Sequence, residues 1–169
     1  MSPSQWQAFI HKGRLVEEAF VKQHLQDVVW STKQQDTQEH WDMEGRLPNM
    51  NGDRFKFEVK GMKKINRGDK DVQDKLAWVE GTTVLGKPGW SKGLADYIVF
   101  ARFGSWLVVN RAELFKLTWG KCEALGFPKG KKPYHIYGPR PGRKDKMTLV
   151  PYDDIEKLND ITKLKRDDS

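Results

Sequence analysis

Two carboxylates and a lysine, spaced as they would be in a hairpin, are the residues of this chain best suited to catalysis. Asp42 is followed after fifteen residues by Glu58, and Lys60 comes two positions later. Side chains two residues apart on a strand share a face and lie about 7 Å apart, so Glu58 and Lys60 point the same way if this segment is a strand. Alone, this pair is typical of a solvated strand face, and it is the position of Asp42 that favours catalysis.

A hairpin between residues 40–45 and 54–60 would bring Asp42 to this pair. Turn-forming residues fill the loop at 47–53, and residues 54–60 alternate between apolar and polar side chains. In the register that this loop allows, Asp42 falls opposite Glu58, and the other face of the hairpin is apolar. A shift of one residue would turn the charges towards the core, so the alternation favours this register.

The two facing carboxylates predict a metal site. Carboxylates directly opposite each other on a sheet repel, and a divalent cation between them would relieve the repulsion. Mg²⁺ prefers oxygen ligands and often binds one or two carboxylates, and Mn²⁺ accepts the same ligands. Such an ion would polarise a phosphoryl oxygen and activate a water. Lys60 beside it would orient that water or stabilise the charge that develops in the transition state.

The pattern resembles the PD-(D/E)xK nuclease superfamily, which includes restriction endonucleases and archaeal-type Holliday junction resolvases. The resemblance spans residues 13–118, and the second half of the chain is also similar to small phage-type proteins of this superfamily. It rests on the glutamate-bearing helix at 13–20, on Asp42 after His40 and Trp41, on Glu58-Val59-Lys60-Gly61, and on the segments 86–91 and 95–102. No proline precedes Asp42, and no long helix is predicted after Lys60.

The resemblance implies a mixed α/β (α+β) fold with a restriction-endonuclease-like core, in which helices flank a mixed central sheet. It also implies that Asp42, Glu58, Lys60 and a helix glutamate are catalytic, with the three carboxylates as ligands of Mg²⁺ or Mn²⁺. Glu17 is favoured over Glu18 for the helix position, because its spacing places it on the face that turns inward. Resolvase-like members act as dimers, so a homodimer is a further implication.

Other acids lie near these motifs. Asp36 is a weaker alternative to Asp42, and Asp53 is discounted because aspartate is common in turns for backbone reasons. Glu80, on the next predicted strand, either faces the site or is an ordinary polar strand position. The histidines lack zinc-ligand spacing, and His40 is more typical of a surface residue.

Positive charge is concentrated in one segment and predicts a polyanionic partner. The net charge is +7, and residues 129–146 hold seven basic residues against one acid. Basic side chains neutralise phosphates and release counterions, which favours DNA binding over a flexible solubilising loop. Tyr134, His135 and Tyr137 would stack on unpaired bases. The predicted nucleic-acid contacts are Lys92, Arg102, Lys129, Lys131, Lys132, Arg140, Arg143 and Lys144.

Two of these contacts have an alternative interpretation. In the glycine-rich loop at 86–93, either Trp90 is anchored in the core, or Trp90, Ser91 and Lys92 lie against the phosphate backbone, because glycine permits close approach. Arg102, at the end of a predicted strand, either contacts phosphate or is merely solvated.

The elements that must position these residues follow from periodicity. A helix is predicted from Ser4 to near Leu25 or Asp27, either continuous or broken at Gly13. After the hairpin, the pattern predicts strands at 77–84, 95–101 and 106–110, a helix at 111–125, a basic loop at 129–146 and a last short helix at 153–164. This order indicates a sheet with a helix on at least one face.

Composition limits the class of protein. Residues 1–125 are predicted to form a nuclease-like core, and residues 126–169 a basic Pro/Gly-rich loop and C-terminal tail packed on the same domain. The single cysteine, Cys122, excludes an internal disulfide framework and a cysteine-rich zinc module. No run approaches the roughly 18 apolar residues of a membrane span. Residues 1–12 lack an apolar signal core, so a cytoplasmic protein is expected. The resemblance to phage-type proteins implies that a phage could encode it.

The sequence therefore predicts a Mg²⁺-dependent endonuclease that hydrolyses DNA phosphodiester bonds, acting on branched or otherwise structured DNA if it is resolvase-like. Two alternatives stay open. One is a non-catalytic DNA-binding protein on the same fold, and the other is a phage protein that binds a host protein.

Overall fold

The computed structural model describes residues 2–168, apart from the side chains of residues 6 and 9–11. The helices are α1 (Pro3–His24), α2 (Arg111–Ala124) and the short α3 (Tyr152–Ile155). The strands are β1 (Gln26–Trp30), β2 (Met43–Arg46), β3 (Arg54–Lys60), β4 (Leu76–Thr82), β5 (Tyr97–Arg102), β6 (Ser105–Asn110), β7 (Lys146–Pro151) and β8 (Ile161–Lys165). A π-helical turn (Gln35–Glu39) precedes β2, and a 3₁₀ turn (Trp90–Lys92) precedes β5.

The strands form a six-stranded mixed sheet and a separate two-stranded sheet. The order of the larger sheet is β1-β2-β3-β5-β6-β8, and the smaller sheet pairs β4 with β7. Strands β3 and β5 are parallel, and the other pairs are antiparallel. Parallel neighbours need a long crossover, which here carries β4 and the 3₁₀ turn. The prediction of a mixed α/β fold is confirmed.

Apolar side chains on the two faces of the larger sheet bury two separate cores. On one face, Phe20 of α1 packs against Phe57 and Trp106, with ring centroids 5.8 and 5.4 Å apart. On the other face, residues of β5 and β6 pack against β4, β7 and α2. The result is three layers, with α1 outside one face of the sheet and the small sheet and α2 outside the other.

The predicted hairpin register is confirmed over β2 and the facing part of β3, although the first strand begins at Met43 rather than at residue 40. Met43 pairs with Phe57 and Glu44 with Lys56 across β2 and β3. Met43 and Phe57 are buried, which explains why the register is well determined, since a shift of one residue would expose both.

Helix α1 begins earlier than predicted and is continuous. Ser2 rather than Ser4 is the N-cap, and its side chain accepts a hydrogen bond from Gln5 in a capping box. Gly13 does not break the helix. The first three residues of the apolar repeat that predicts this helix, Trp6, Phe9 and Ile10, have side chains that lie outside the described residues.

The prediction of a last helix at 153–164 is wrong. Helix α3 ends at Ile155, and residues 161–165 form β8, which pairs with β6 at the edge of the larger sheet. The carboxylate of Glu113 accepts hydrogen bonds from the backbone N–H groups of Asn159 and Asp160, 2.9 and 3.2 Å away, and fixes the turn before β8. Among the described residues, no helix is long and apolar enough to cross a membrane.

Candidate active site

Asp42 lies directly before β2 and is held there by three hydrogen bonds. Its backbone N–H donates to the carbonyl of Phe57 at 2.8 Å, and its own carbonyl accepts the N–H of Ser31 at 2.9 Å. Its side-chain Oδ2 accepts the N–H of Val59 at 2.7 Å. The carboxylate thus takes the place of a backbone acceptor beside β3, and only 7% of the residue is exposed.

Glu58 and Lys60 form a close ion pair beside Asp42. The Lys60 ammonium donates to Glu58 Oε1 at 2.6 Å and lies 5.0 Å from the centre of the Trp90 ring. Glu58 is 5% exposed, and its second oxygen, Oε2, is buried without a hydrogen-bond partner among residues 2–168. A buried carboxylate oxygen without a donor is costly, so this atom points to a ligand that completes the site.

Asp36 joins these two carboxylates. One oxygen each from Asp36, Asp42 and Glu58 lies within 4.8 Å of the others, an arrangement that could hold a metal ion. Asp36 is exposed and lies in the π-helical turn, which ends at His40 in the left-handed region (φ 58°). Asp36 was predicted only as an alternative to Asp42, and the structure brings both to the same place.

Glu17 reaches the same group of carboxylates from α1. Burial raises the pKa of Glu17, although a hydrogen bond with Asp42 opposes the shift. Burial and the neighbouring charge of Glu58 raise the pKa of Asp42 to about 10, although Lys60 opposes this. Glu18, by contrast, is exposed and pairs with Arg14 at 3.2 Å. The carboxylates are therefore short of positive charge, a condition that a proton or a cation relieves.

Lys60 remains a cation in these surroundings. Burial lowers the pKa of Lys60, but the carboxylates of Glu58 and Asp42 outweigh burial and raise the pKa overall. Glu80 of β4 also faces Lys60: burial raises the pKa of Glu80, while Lys60 and a hydrogen bond from the backbone of Trp90 oppose the shift. Of the two interpretations of Glu80, the structure supports the one in which it faces the site.

The turn at 89–93 closes over Glu80. A Cβ at Gly89 would lie 2.7 Å from Glu80 Cγ and 2.8 Å from its backbone oxygen, so only glycine permits this approach. Trp90 and Ser91 are buried, which corrects the interpretation that places them against phosphate. Lys92 alone of the three is exposed.

The basic loop at 129–146 is tied to the rest of the domain. Tyr137 and Met147 exchange backbone hydrogen bonds of 2.8 and 2.9 Å. Its ionic contacts are within the loop, where Arg140 and Arg143 bind Asp145 at 3.1 and 3.2 Å. The lysines predicted to bind nucleic acid in this loop are all exposed: Lys129, Lys131, Lys132 and Lys144.

The aromatic residues of this loop differ in accessibility. Tyr134 is buried, and its hydroxyl donates to Asp154 Oδ2 at 2.6 Å, so the prediction that it stacks on bases is wrong. Tyr137 is half-buried between the cations of Lys131 and Arg140, each 5.1 Å from its ring centre. Trp78 of β4 lies 5.8 Å from Tyr137, ring to ring. Trp78 was not predicted from sequence to contact the basic loop. Its spacing of two from Glu80 does place both side chains on one face of the strand.

Arg102 does not lie with the other predicted nucleic-acid contacts. Its guanidinium pairs with Glu156 and, at 3.7 Å, with Asp74, and it lies 4.3 Å from the centre of the Tyr152 ring. Only 16% of the side chain is exposed. The prediction that Arg102 binds DNA is therefore corrected, because both carboxylates and the ring engage its polar and planar surfaces within the fold.

Arg102→Ala is expected to lower the free energy of unfolding by about 2 kcal/mol, since hydrogen bonds to charged groups and the aromatic contact are lost. The melting temperature should fall by about 4–8 °C. Thermal denaturation checks this, with fluorescence anisotropy of labelled DNA as a second readout. Lys132→Ala, at an exposed site, is the control and should lower DNA affinity without changing the melting temperature. Weakened DNA binding by Arg102→Ala at an unchanged melting temperature would contradict the structural role.

Comparisons with protein-family models, with curated proteins and with solved structures return no match. The assignment to the PD-(D/E)xK superfamily therefore stays a prediction, and the case for a function depends on the geometry of the site.

Proposed function

We propose that this protein is a metal-dependent intracellular nuclease that hydrolyses phosphodiester bonds in DNA. The observation that carries the proposal is the buried pair Asp42 and Glu58, with one oxygen of Glu58 left without a donor, beside the ammonium of Lys60. A protein that only binds DNA has no need of clustered, buried carboxylates, which repel the phosphate backbone and destabilise the fold.

The carboxylates fit Mg²⁺ or Mn²⁺. Asp36, Asp42 and Glu58 would hold the ion, because their oxygens already lie within 4.8 Å of one another and hard cations prefer such ligands. When bound, such an ion polarises a phosphoryl oxygen and lowers the pKa of a water. Glu17 is not one of these three ligands, but it forms a hydrogen bond with Asp42 and would orient the Asp42 carboxylate or a water beside it.

Lys60 would act on the scissile phosphate. Its ammonium is fixed by Glu58 and by the Trp90 ring, so it has a defined position before substrate binds. A pre-positioned cation stabilises the negative charge that develops on a phosphoryl group and can orient the attacking water. Glu58 therefore has two functions, since one oxygen positions Lys60 and the other is available to a metal.

The substrate is assigned from charge. The exposed lysines of the basic loop and Lys92 offer a surface to a polyanion, and counterion release would drive the association. DNA is the proposed substrate, with branched or other structured DNA as the form implied by the resemblance to resolvases.

The experiment is cleavage of end-labelled DNA by the wild type, by Glu58→Gln and by the control Asp53→Asn, whose carboxylate lies in an exposed turn. Linear duplex, single-stranded and four-way-junction DNA are each incubated with Mg²⁺, Mn²⁺ or EDTA. We expect metal-dependent products from the wild type and from Asp53→Asn. Glu58→Gln should be at least about a hundredfold slower, since a metal contributes several kcal/mol to the transition state.

The alternatives give different results in the same experiment. DNA that is bound but never cut would favour a non-catalytic DNA-binding protein on this fold. DNA that is neither bound nor cut would favour a protein partner, and binding to such a partner would lack the steep salt dependence of a DNA complex.

A further inference from the structure

A cavity of about 380 Å³ lies between β4, α2 and the basic loop, and Lys92 of the 89–93 turn is among its lining residues. Its lining combines aromatic and basic side chains, and no acidic residue of the described chain takes part. Its aromatic residues are Phe115, Trp119 and Phe127, and its basic residues are Lys92, Lys129 and Lys146. This combination suits a ligand that is both aromatic and anionic.

Phe115, Trp119 and Phe127, here called the aromatic wall of the cavity, are fixed in place by the fold. A Cβ at Gly81 would lie 2.6 Å from the Trp119 ring, so the ring rests directly on the β4 backbone. The indole N–H of Trp119 donates to Ser91 Oγ at 3.2 Å. Phe127 is half exposed although it is apolar, and its backbone is held by a 2.9 Å hydrogen bond to the carbonyl of Cys122. A rigid aromatic surface open to solvent is what a planar ring would stack on.

The lysines surround this wall. The Lys92 ammonium lies 5.9 Å from the centre of the Phe115 ring. Lys129 donates one hydrogen bond to the carbonyl of Gly138 at 2.9 Å, which leaves two of its three donors. A second cavity of about 340 Å³ shares Lys92 and Phe115 with the first and adds Arg111 and Lys116, so the basic lining continues along α2. Phosphates at either side of a stacked ring would meet cations.

We propose that this cavity binds an unpaired nucleotide of a DNA strand, with the base against the aromatic wall and its flanking phosphates on the lysines. The volume is in the range of pockets that hold small organic ligands. The proposal deepens the proposed function, on which it rests, by naming the substrate as DNA with an unpaired segment.

The cavity and the candidate active site are neighbours in the fold. Trp90 faces Lys60 on one side of the 89–93 turn, and Lys92, two residues later, lines the cavity on the other. Glu80 and Gly81 are likewise successive residues of β4, one facing the site and the other beneath Trp119. A strand held in the cavity therefore has a short path across this turn to Lys60.

The test measures binding in EDTA, so that its outcome does not depend on cleavage. Labelled single-stranded DNA and a blunt duplex of equal length are titrated with the wild type, Phe127→Ala and Lys129→Gln, and binding is followed by fluorescence anisotropy. The controls are Phe103→Ala, a phenylalanine at the β5–β6 turn that is slightly more exposed than Phe127, and Lys157→Gln, an exposed lysine beyond α3. Tryptophan fluorescence of the wild type is compared in parallel with that of Trp119→Phe, because the chain holds seven tryptophans and the difference reports on Trp119.

We expect Phe127→Ala to weaken single-stranded binding about tenfold and to leave duplex binding unchanged, because only an unpaired base can stack in the cavity. Lys129→Gln should weaken single-stranded binding less than Phe127→Ala does, and it should reduce the salt dependence of that binding. Unchanged single-stranded affinity of Phe127→Ala would overturn the proposal, as would an equal loss in Phe103→Ala. A free deoxynucleoside monophosphate that quenches tryptophan as strongly as the strand would overturn the assignment to a strand and indicate a free nucleotide instead.

These results are separable from those of the nuclease test. If single-stranded binding depends on Phe127 but no DNA is cut with metal, the proposal for the cavity is supported and the proposed nuclease activity is refuted. If DNA is cut in a metal-dependent way but Phe127→Ala binds single-stranded DNA normally, the proposed nuclease activity is supported and the proposal for the cavity is refuted.

Discussion

Lys60→Met is expected to separate metal binding from cleavage. The substitution removes the ammonium that partly neutralises Glu58 and Asp42, so the site carries one positive charge less and should bind Mn²⁺ at least as tightly as in the wild type. The cleavage rate should nevertheless fall by about a hundredfold to a thousandfold, the usual effect of removing one pre-positioned group that stabilises transition-state charge. Methionine keeps much of the apolar stem and its contact with Trp90.

Calorimetric titration with Mn²⁺ and single-turnover cleavage measure the two effects on the same protein. Lys56→Met is the matched control, because Lys56 lies four residues earlier on the same face of β3 and contacts Trp41 instead. It should bind metal and cleave as the wild type does. A Lys60→Met protein that loses metal binding and cleavage together would contradict the role of Lys60 and suggest that it only maintains the structure of the site.

Asp42→Asn is expected to stabilise the metal-free protein while removing its response to metal. The asparagine oxygen can still accept the Val59 N–H, and the side chain no longer has to take up a proton on folding to avoid a charge buried beside Glu58 and Glu17. Removing the cost of neutralising this buried carboxyl should raise the free energy of unfolding on the order of 2 kcal/mol and the melting temperature by about 4–8 °C. Mn²⁺ should then stabilise the wild type but not the variant.

The stabilisation should depend on pH with a definite sign. The pKa of Asp42 is raised to about 10 in the folded protein, whereas an unfolded aspartate has a pKa of about 3.9. Between these values the folded state binds a proton that the unfolded state releases, so this group makes the wild type less stable as the pH rises. Asp42→Asn lacks the proton, and its advantage should therefore be larger at pH 8 than at pH 5.

Thermal denaturation at pH 5 and pH 8, with EDTA or with Mn²⁺, tests both parts. Asp53→Asn serves as the control, because this exposed turn residue should change neither the melting temperature nor its dependence on pH. If Asp42→Asn melted below the wild type at pH 8 in EDTA, the Asp42 carboxylate would stabilise the fold. The claim that this buried group destabilises the metal-free protein would then be wrong.

The hairpin could be predicted from sequence because local patterning determines it. The alternation of residues 54–60 and the buried pair Met43 and Phe57 allow one register, and that register places Asp42 beside Glu58. The position of Glu17 followed similarly from helical spacing. In these cases the residues that decide the structure lie within one element or in two adjacent ones.

The rest depends on contacts between distant parts of the chain. Nothing near 161–165 predicts a strand, which forms because β6 offers an open edge. From sequence alone Arg102 could be a solvated residue, because its partners Asp74 and Glu156 lie in separate segments of the chain. Asp36 lies in an irregular turn of a kind that periodicity cannot locate, so its approach to Glu58 could be recognised only in the folded chain.

The central claim is that Asp42 and Glu58 form the metal centre of a nuclease. The most direct test is the rate at which the wild type cuts labelled single-stranded and four-way-junction DNA as Mn²⁺ is raised from zero, with Glu58→Gln measured alongside. We predict a rate that rises and saturates with Mn²⁺ in the wild type and is lost in Glu58→Gln. A wild type that cuts no DNA at any Mn²⁺ concentration, or a rate that Glu58→Gln retains, would contradict the claim.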